Sequence, residues 1–261
     1  MTSITTFAPT ADAIPDEGPP LVTIVIPALN EAPNLREVLP RLPNVYEVIV
    51  VDGGSTDDTV TVAREQWPGV RVIPQRGRGK GDALRSGFAT ARGDVIVMLD
   101  ADGSAKPEEI PLFVDVLRKG ADFAKGSRFL EGGGSADITR VRRFGNWFFS
   151  VIVNLLFRTR YTDLCYGYNA FWAHCLPFLD VDCDGFEVET QINIRAAKAG
   201  LAVVEVPSYE ELRIHGASNL HAVRDGLRIL RTILRERVRR APQAIPPELP
   251  IAALGASRAQ P

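Results

Sequence analysis

Two aspartates separated by one residue, Asp100-Ala101-Asp102, follow the apolar run Val95-Ile96-Val97-Met98-Leu99 without a break. Carboxylates so spaced in an extended turn can share a hard divalent cation, directly or through water, and that cation can bridge a diphosphate. Ser104 offers a third oxygen donor two residues on. The rival reading of the pair is solvated loop punctuation. A second acidic position, Asp52, ends the apolar run 47–51 and leads into Gly53-Gly54-Ser55-Thr56-Asp57. A carboxylate at a strand end can accept from a nucleobase N–H or a ribose hydroxyl, and the glycines admit close backbone approach. Ser55 or Thr56 would suit a helix cap there. The segment Arg76-Gly77-Arg78-Gly79-Lys80-Gly81 is basic and flexible but has neither Walker A spacing nor a dinucleotide fingerprint. Lys80 is a candidate phosphate contact, with a solvated loop as the alternative.

The elements that must position these residues follow from periodicity. Short β-branched runs at 21–26, 47–51, 70–73 and 95–99 alternate with helical patterns at 32–42, 57–66 and 81–91. Nearly all-apolar strands separated by helices are what a parallel sheet covered on both faces requires. In such sheets ligands bind at the carboxyl ends of the strands, where Pro27 to Glu31, Asp52 and Asp100 fall. A further helix is expected at 107–117 and a strand near 122–124, and Gly132-Gly133-Gly134 mark a mobile loop. Residues 144–157 carry no charge and set Trp147, Phe148, Phe149, Val151, Ile152, Leu155 and Leu156 all round a helix. Such a helix is buried in protein or in lipid, and at about 14 residues it is too short to span a bilayer. Periodicity favours the protein core. The helix at 222–240 puts Val223, Leu227, Leu230 and Leu234 beside a stripe of Arg224, Arg228, Arg231 and Arg235, the pattern of an interfacial basic helix. The proline-bearing ends, 1–20 and 241–261, read as flexible tails around one domain at 21–240, with halves meeting at 125/126.

Composition narrows the class. The chain has 261 residues, 45% hydrophobic and 24% charged, with no apolar run approaching a membrane span, so disordered, collagen-like and integral-membrane classes drop out. Three cysteines, Cys165, Cys175 and Cys183, make no disulfide framework, and no secretory signal opens the chain, so a cytoplasmic protein with buried or free thiols is expected. Net charge is -2, yet residues 213–240 hold eight arginines against Asp225 and Glu236, a surplus of six that leaves about -8 elsewhere. No nucleic-acid partner is expected.

Taken in order, five motifs resemble those of family 2 glycosyltransferases of the GT-A fold, in the branch of dolichyl-phosphate mannose synthase and the bacterial polyprenyl-phosphate glycosyltransferases. They are Val25-Ile26-Pro27-Ala28-Leu29-Asn30-Glu31, Val50-Val51-Asp52-Gly53-Gly54-Ser55-Thr56-Asp57, Leu99-Asp100-Ala101-Asp102, Gly126-Ser127-Arg128, and Glu205-Val206-Pro207 followed by Arg213 and Gly216 to Leu220. The resemblance covers residues 21 to about 228 and implies an α/β, Rossmann-like, mostly parallel mixed sheet with helices on both faces and amphipathic C-terminal helices. It implies that Pro27, Leu29, Glu31, Val50 and Asp52 hold base and ribose, with Lys80 and Ala101 alongside. Asp100 and Asp102 would hold Mg²⁺ or Mn²⁺, with Ser104 where the branch often has Gln. Arg128 and Arg213 would clamp phosphates, and Asp163, Ser218 and Asn219 would face the acceptor. Asn219 stands where the branch usually has Lys, which removes a cation.

The reaction implied is a single inverting displacement, moving a hexose from a UDP- or GDP-linked donor to a polyprenyl- or dolichyl-type phosphate. An acceptor phosphate is already anionic, whereas a soluble or secondary-metabolite hydroxyl, the alternative acceptor, needs a general base. Asp163, Asp184 and Glu189 are the candidates for that base. A dead binding module fits poorly with intact Asp100 and Asp102. The two uncharged and basic helices favour peripheral attachment to an anionic surface at the inner face of the cell membrane.

Overall fold

In the computed structural model, which describes residues 18–217 and 221–239, the apolar runs of the first half become β1 (Val22–Ala28), β2 (Glu47–Asp52), β3 (Arg71–Pro74) and β4 (Val95–Met98). They are parallel, in the order β3-β2-β1-β4, with Ile24 level with Val48 on one side and Val97 on the other. Helices α1 (Ala32–Val38), α2 (Thr59–Gln66) and α3 (Lys80–Phe88) form the crossovers. All four carboxyl ends therefore open on one edge of the sheet.

The second half extends the same sheet. After α4 (Ile110–Arg118) come β5 (Phe123–Ser127), the short β6 (Gly134–Ser135), α5 (Arg140–Phe157), β7 (Asn169–Trp172), α6 (Leu176–Leu179), α7 (Val188–Lys198), β8 (Val203–Pro207), β9 (Tyr209–Glu210) and α8 (Ala222–Val238). Strand β7 inserts between β4 and β5, antiparallel to both, and β8 lies parallel outside β5. Because Asn169 pairs with Met98, the start of β7 reaches the edge where the parallel strands end. Of the three glycines expected in a mobile loop, two are hydrogen-bonded, Gly133 N–H donating to the Leu130 carbonyl and Gly134 N–H to that of Ser208.

Alternate residues of each strand face opposite layers. Ile24, Ile26, Val48, Val50 and Val97 pack with Leu35 and Val38 of α1 and Phe113 and Leu117 of α4. Val25, Ile49, Val51, Ile96 and Met98 pack with Leu84 and Phe88 of α3 and Ile192 and Ala196 of α7. Each such side chain contributes about 1.5–3 kcal/mol on burial, which is why the strands show no polar alternation. Tyr166, Tyr168 and Phe171 are buried, and the three cysteines are free.

Helix α5 departs from expectation. It starts at Arg140, where the Thr139 side chain accepts from Arg142 N–H. Its buried residues are Asn146, Ser150 and Val153, while Phe144, Trp147 and Leu155 are 64%, 58% and 76% exposed. The reason is local hydrogen bonding. Asn146 Oδ1 accepts from Leu164 and Cys165 N–H, and Asn154 exchanges bonds with both backbone groups of Tyr161, so the loop before β7 recruits the polar face of the helix. Val153 joins Tyr161, Leu164, Ile194, Ile229 and Ile233 in a small cluster that ties α5 to α7 and α8. The aromatic face is left outward. Helix α8 does likewise, burying Ile229 and Ile233 and exposing Val223, Leu227 and Leu234.

Candidate active site

The loops after β1 and β2 are laced into one rim. Asn30 N–H donates to Ser55 Oγ, Asn30 Oδ1 accepts from Thr56 N–H, and Gly53 N–H donates to the Ala28 carbonyl. Ser55 and Thr56, expected to cap α2, thus serve the neighbouring loop, and Asp57 accepts from Thr59 N–H instead. The Asp52 carboxylate accepts from Ser55 N–H at 3.1 Å and Gly54 N–H at 3.3 Å, which fixes it at the strand end while leaving it half-exposed. Leu29 is 48% exposed on the rim and Pro27 half-buried; Val50, by contrast, is fully buried in the sheet's core, and Ala101 is buried too.

At the end of β4 the two aspartates each meet a basic side chain. Lys80 Nζ lies 2.6 Å from Asp100 Oδ1 and 2.6 Å from Glu189 Oε1. Arg213 Nη2 lies 3.3 Å from Asp102 Oδ2, and its Nη1 lies 2.9 Å from Glu31 Oε1. Burial pushes the Lys80 ammonium down, but the two carboxylates outweigh it and hold it charged; burial raises Glu189 against the pull of Lys80. Arg213 arrives on a strap that follows β9. Glu211 N–H donates to the Ser104 carbonyl and Ile214 N–H to that of Asp102, while Asn34 of α1 bonds His215 N–H and carbonyl. Ser104 contributes its N–H to Asp102 Oδ1 at 3.0 Å and is itself buried.

Within the basic glycine segment, Gly81 makes a close packing contact. Gly81 N–H donates to the Asp184 carbonyl, and a Cβ on Gly81 would sit 2.3 Å from the Cys183 carbonyl oxygen. Only glycine lets the first turn of α3 pass so close to the loop before α7. That contact delivers Lys80 inward while Arg76 and Arg78 stay exposed. A cleft of about 750 Å³ opens alongside, between this contact and α8, lined by Arg78, Asp182, Asp184, Glu187, Arg224 and Arg228 among others.

Arg128, at the end of β5, is brought together with Asp163, and both are buried. Its Nε and Nη2 donate to Asp163 at 2.7 and 3.0 Å, and its Nη1 donates to Glu210 at 3.1 Å. Burial raises the Asp163 carboxyl, but Arg128 and Lys125 outweigh that and hold it below its ordinary range. Both edges of the guanidinium are therefore taken up by carboxylates. Glu210, Asn34 and Lys125 escaped the sequence reading, since nothing local to them marks a partner. Glu189, read from sequence as a candidate base, is instead the buried partner of Lys80. Ser218 and Asn219 lie outside the described residues.

Among the described residues no three His, Cys, Asp or Glu side chains converge as a metal cage. Two carboxylates, both already balancing positive charge, nonetheless suit a cation such as Mg²⁺, which is commonly held by one or two carboxylates with substrate phosphates and waters completing its shell.

The polar residues gather at the carboxyl edge of a Rossmann-like sheet, around an acidic strand end beside the laced rim, which is where α/β sheets bind their ligands. Residues 23–178 match the family described as Glycosyl transferase family 2, and the chain belongs to it. It is 32% identical over 212 residues to the glycosyltransferase AglJ of Haloferax volcanii, covering 80% of this chain and 69% of that protein. It is 31% identical over 219 residues to a dolichol-phosphate mannosyltransferase of Pyrococcus furiosus, covering 76% of this chain and 59% of that one. An undecaprenyl-phosphate mannosyltransferase of Micrococcus luteus is 34% identical over 199 residues, covering 71% and 82%. In fold the chain is similar to the GT-A enzyme glucosyl-3-phosphoglycerate synthase of Mycobacterium tuberculosis, solved with Mn²⁺, UDP and phosphoglyceric acid, with a TM-score of 0.69 at 24% identity over 86% of this chain and 80% of that one.

Proposed function

We propose that this glycosyltransferase moves a hexose from a UDP- or GDP-linked donor to the phosphate of a polyprenyl-type lipid, at the cytoplasmic surface of an anionic membrane. A phosphate oxygen of the acceptor attacks the anomeric carbon, the bond from that carbon to the diphosphate breaks, and the nucleoside diphosphate leaves. Asp52, Leu29 and Pro27 are the groups assigned to the nucleoside. Lys80 and Arg213 are the donors assigned to the diphosphate, because positive charge fixed where negative charge develops stabilises the departing group. Asp100 and Asp102 would hold a divalent cation, Mg²⁺ or Mn²⁺, which when bound supplies further charge to the diphosphate. The names of the Pyrococcus and Micrococcus relatives support the acceptor class, and the Mn²⁺ and UDP in the Mycobacterium tuberculosis enzyme support the metal and donor class.

The observation that carries the lipid reading is the outward face of α5. Val141, Phe144, Trp147, Phe148, Val151 and Leu155 are exposed together, between Arg140, Arg142 and Arg143 at one end and Arg158 and Arg160 at the other. No helix among the described residues is long and apolar enough to cross a membrane. An apolar stripe with basic ends suits a helix lying in the headgroup region. The hydroxyl alternative is weakened by its missing base: Asp163 is locked on Arg128, Glu189 on Lys80, and Asp184 is an exposed partner of Arg85.

A donor-by-acceptor screen tests this, with UDP- and GDP-hexoses, a short polyprenyl phosphate and soluble hydroxyl acceptors, each with and without EDTA. Transfer to the prenyl phosphate alone, abolished by EDTA, is the expected outcome. Transfer only to hydroxyls would establish the alternative. Asp100→Asn and Asp102→Asn are each expected to lower turnover by about 100-fold or more, since a cation's charge is worth several kcal/mol in the transition state.

A further inference from the structure

Each aspartate at the end of β4 shares its basic neighbour with a second, more deeply buried acid. Lys80 is divided between Asp100, whose side chain is 37% exposed, and Glu189, at 7%. Arg213 is divided between Asp102, at 20%, and Glu31, at 10%. Apart from the strand end that carries both aspartates, the two arrangements draw on different elements, yet they have the same form: open acid, shared cation, buried acid. Space for the first is made by Gly167, just before β7. A Cβ there would lie 2.7 Å from Lys80 Nζ, 2.9 Å from Glu189 Oε1 and 3.3 Å from Asp100 Oδ2. Room for a side chain was given up to let the three charges meet.

A divalent cation on Asp100 and Asp102 would stand against an ammonium and a guanidinium bonded to the same carboxylates. Like charges at such separations in a partly buried site repel strongly, so the two kinds of cation compete for these oxygens. We infer that Lys80 and Arg213 are exchangeable counter-charges, which neutralise Asp100 and Asp102 in the free protein and pass to the donor's diphosphate when a divalent cation takes the aspartates. Glu189 and Glu31 are positioning residues in this exchange: they retain one side of each basic group, so that it turns instead of being lost to solvent. Lys80 has three donors and Arg213 five, enough to keep the buried acid while changing the other partner. The inference rests on the donor reading above and adds to it a coupling. Cation alone must displace two side chains, and nucleotide alone must draw them from the aspartates. Each ligand therefore lowers the barrier to the other, and the effect is reciprocal.

The test is Mn²⁺ binding to the full chain, followed by the loss of the free-ion paramagnetic resonance signal, with and without UDP or GDP and without any sugar transfer. For the unaltered protein, nucleotide is expected to tighten Mn²⁺ binding by about tenfold or more, and Mn²⁺ to tighten nucleotide binding by the same factor. Lys80→Met and Arg213→Gln should each bind Mn²⁺ alone more tightly than the unaltered protein does, by about threefold or more, and should show a smaller nucleotide-induced tightening, the part that remains being the direct attraction of cation and diphosphate. Because Lys80→Met leaves Glu189 buried and unpaired, the double variant Lys80→Met with Glu189→Gln is measured beside it and should give the same result. Variants that bind Mn²⁺ alone no better than the unaltered protein, or that keep the full tightening, overturn the exchange. An unaltered protein that binds neither Mn²⁺ nor nucleotide in any combination overturns the donor reading itself, and the exchange with it.

Discussion

Arg128 shows how a residue's type can be legible while its partners are not. The resemblance implies a phosphate-clamp role for it, but Asp163 and Glu210 lie 35 and 82 residues away and no local pattern announces either. With the pair in place the guanidinium is a buried cross-brace between β5, the loop before β7 and β9. Removing it would strand two carboxylates away from water, so Arg128→Met should cost about 3–5 kcal/mol in a urea titration. Near-normal stability with transfer lost would return Arg128 to the phosphate-clamp role. Asp52 and Asp100 were easier to read because each directly follows an apolar run, where a strand must end and a carboxylate has no packing role, and Asp102 is one residue on. Val50 sits inside such a run, and the same logic explains why its side chain faces the core.

Among the elements, α5 and α8 gave opposite lessons about periodicity. An uncharged helix apolar on every side carries no record of which side packs, and in α5 the choice fell to asparagines that satisfy loop amides. If the outward face meets lipid, Trp147→Asp with Leu155→Asp should reduce co-sedimentation with liposomes by about tenfold or more, since two large side chains of about 1.5–3 kcal/mol each are lost from the interface. Melting temperature should hardly move, because both are exposed. Helix α8 is held by a polar clamp instead. Arg195 of α7 donates to Glu236 at 2.7 Å and to Asp182 at 3.0 Å, and Asp182 also receives Arg235 and Arg239. Burial pushes the Asp182 carboxyl up, but bonds from Arg195, Gln191 and Arg239 outweigh it and hold it at about 2. A depressed carboxyl contributes stability that is complete above its unfolded value near 4 and is lost as pH falls through the folded one, roughly between pH 4 and 2. Melting curves across that window should fall less steeply for Asp182→Asn than for the unaltered protein. Equal slopes would mean the clamp does not sense the proton.

Over the whole molecule, the parallel half of the sheet was legible because all-apolar strands between helices have few other homes. The position of β7 was not: four residues of mixed character cannot say that they will run backwards between β4 and β5 and close the gap between the halves. Charge read along the chain is incomplete without its partners in space. The arginine surplus at 213–240 is partly answered in space from outside the segment, Arg213 by Glu31 and Asp102 and Arg235 and Arg239 by Asp182, while Asp225, already counted against the surplus, serves Arg224 and Arg228. Surface attachment should therefore depend on apolar contact more than on charge. Raising salt to about 0.5 M, where screening is nearly complete within a few ångströms, should release only part of the protein from anionic liposomes. Complete release would restore the arginine stripe as the main anchor.

The polar seat of α5 has a practical corollary for the protein in dilute buffer. Asparagines pin the helix so that it cannot roll its aromatic side inward, and the oily face must find cover elsewhere or stay wet. Two copies can supply that cover for each other. Light scattering should accordingly report a mean particle mass that grows with concentration in plain buffer and falls back to that of one chain once a mild non-ionic detergent passes its micelle threshold, with no change in circular dichroism.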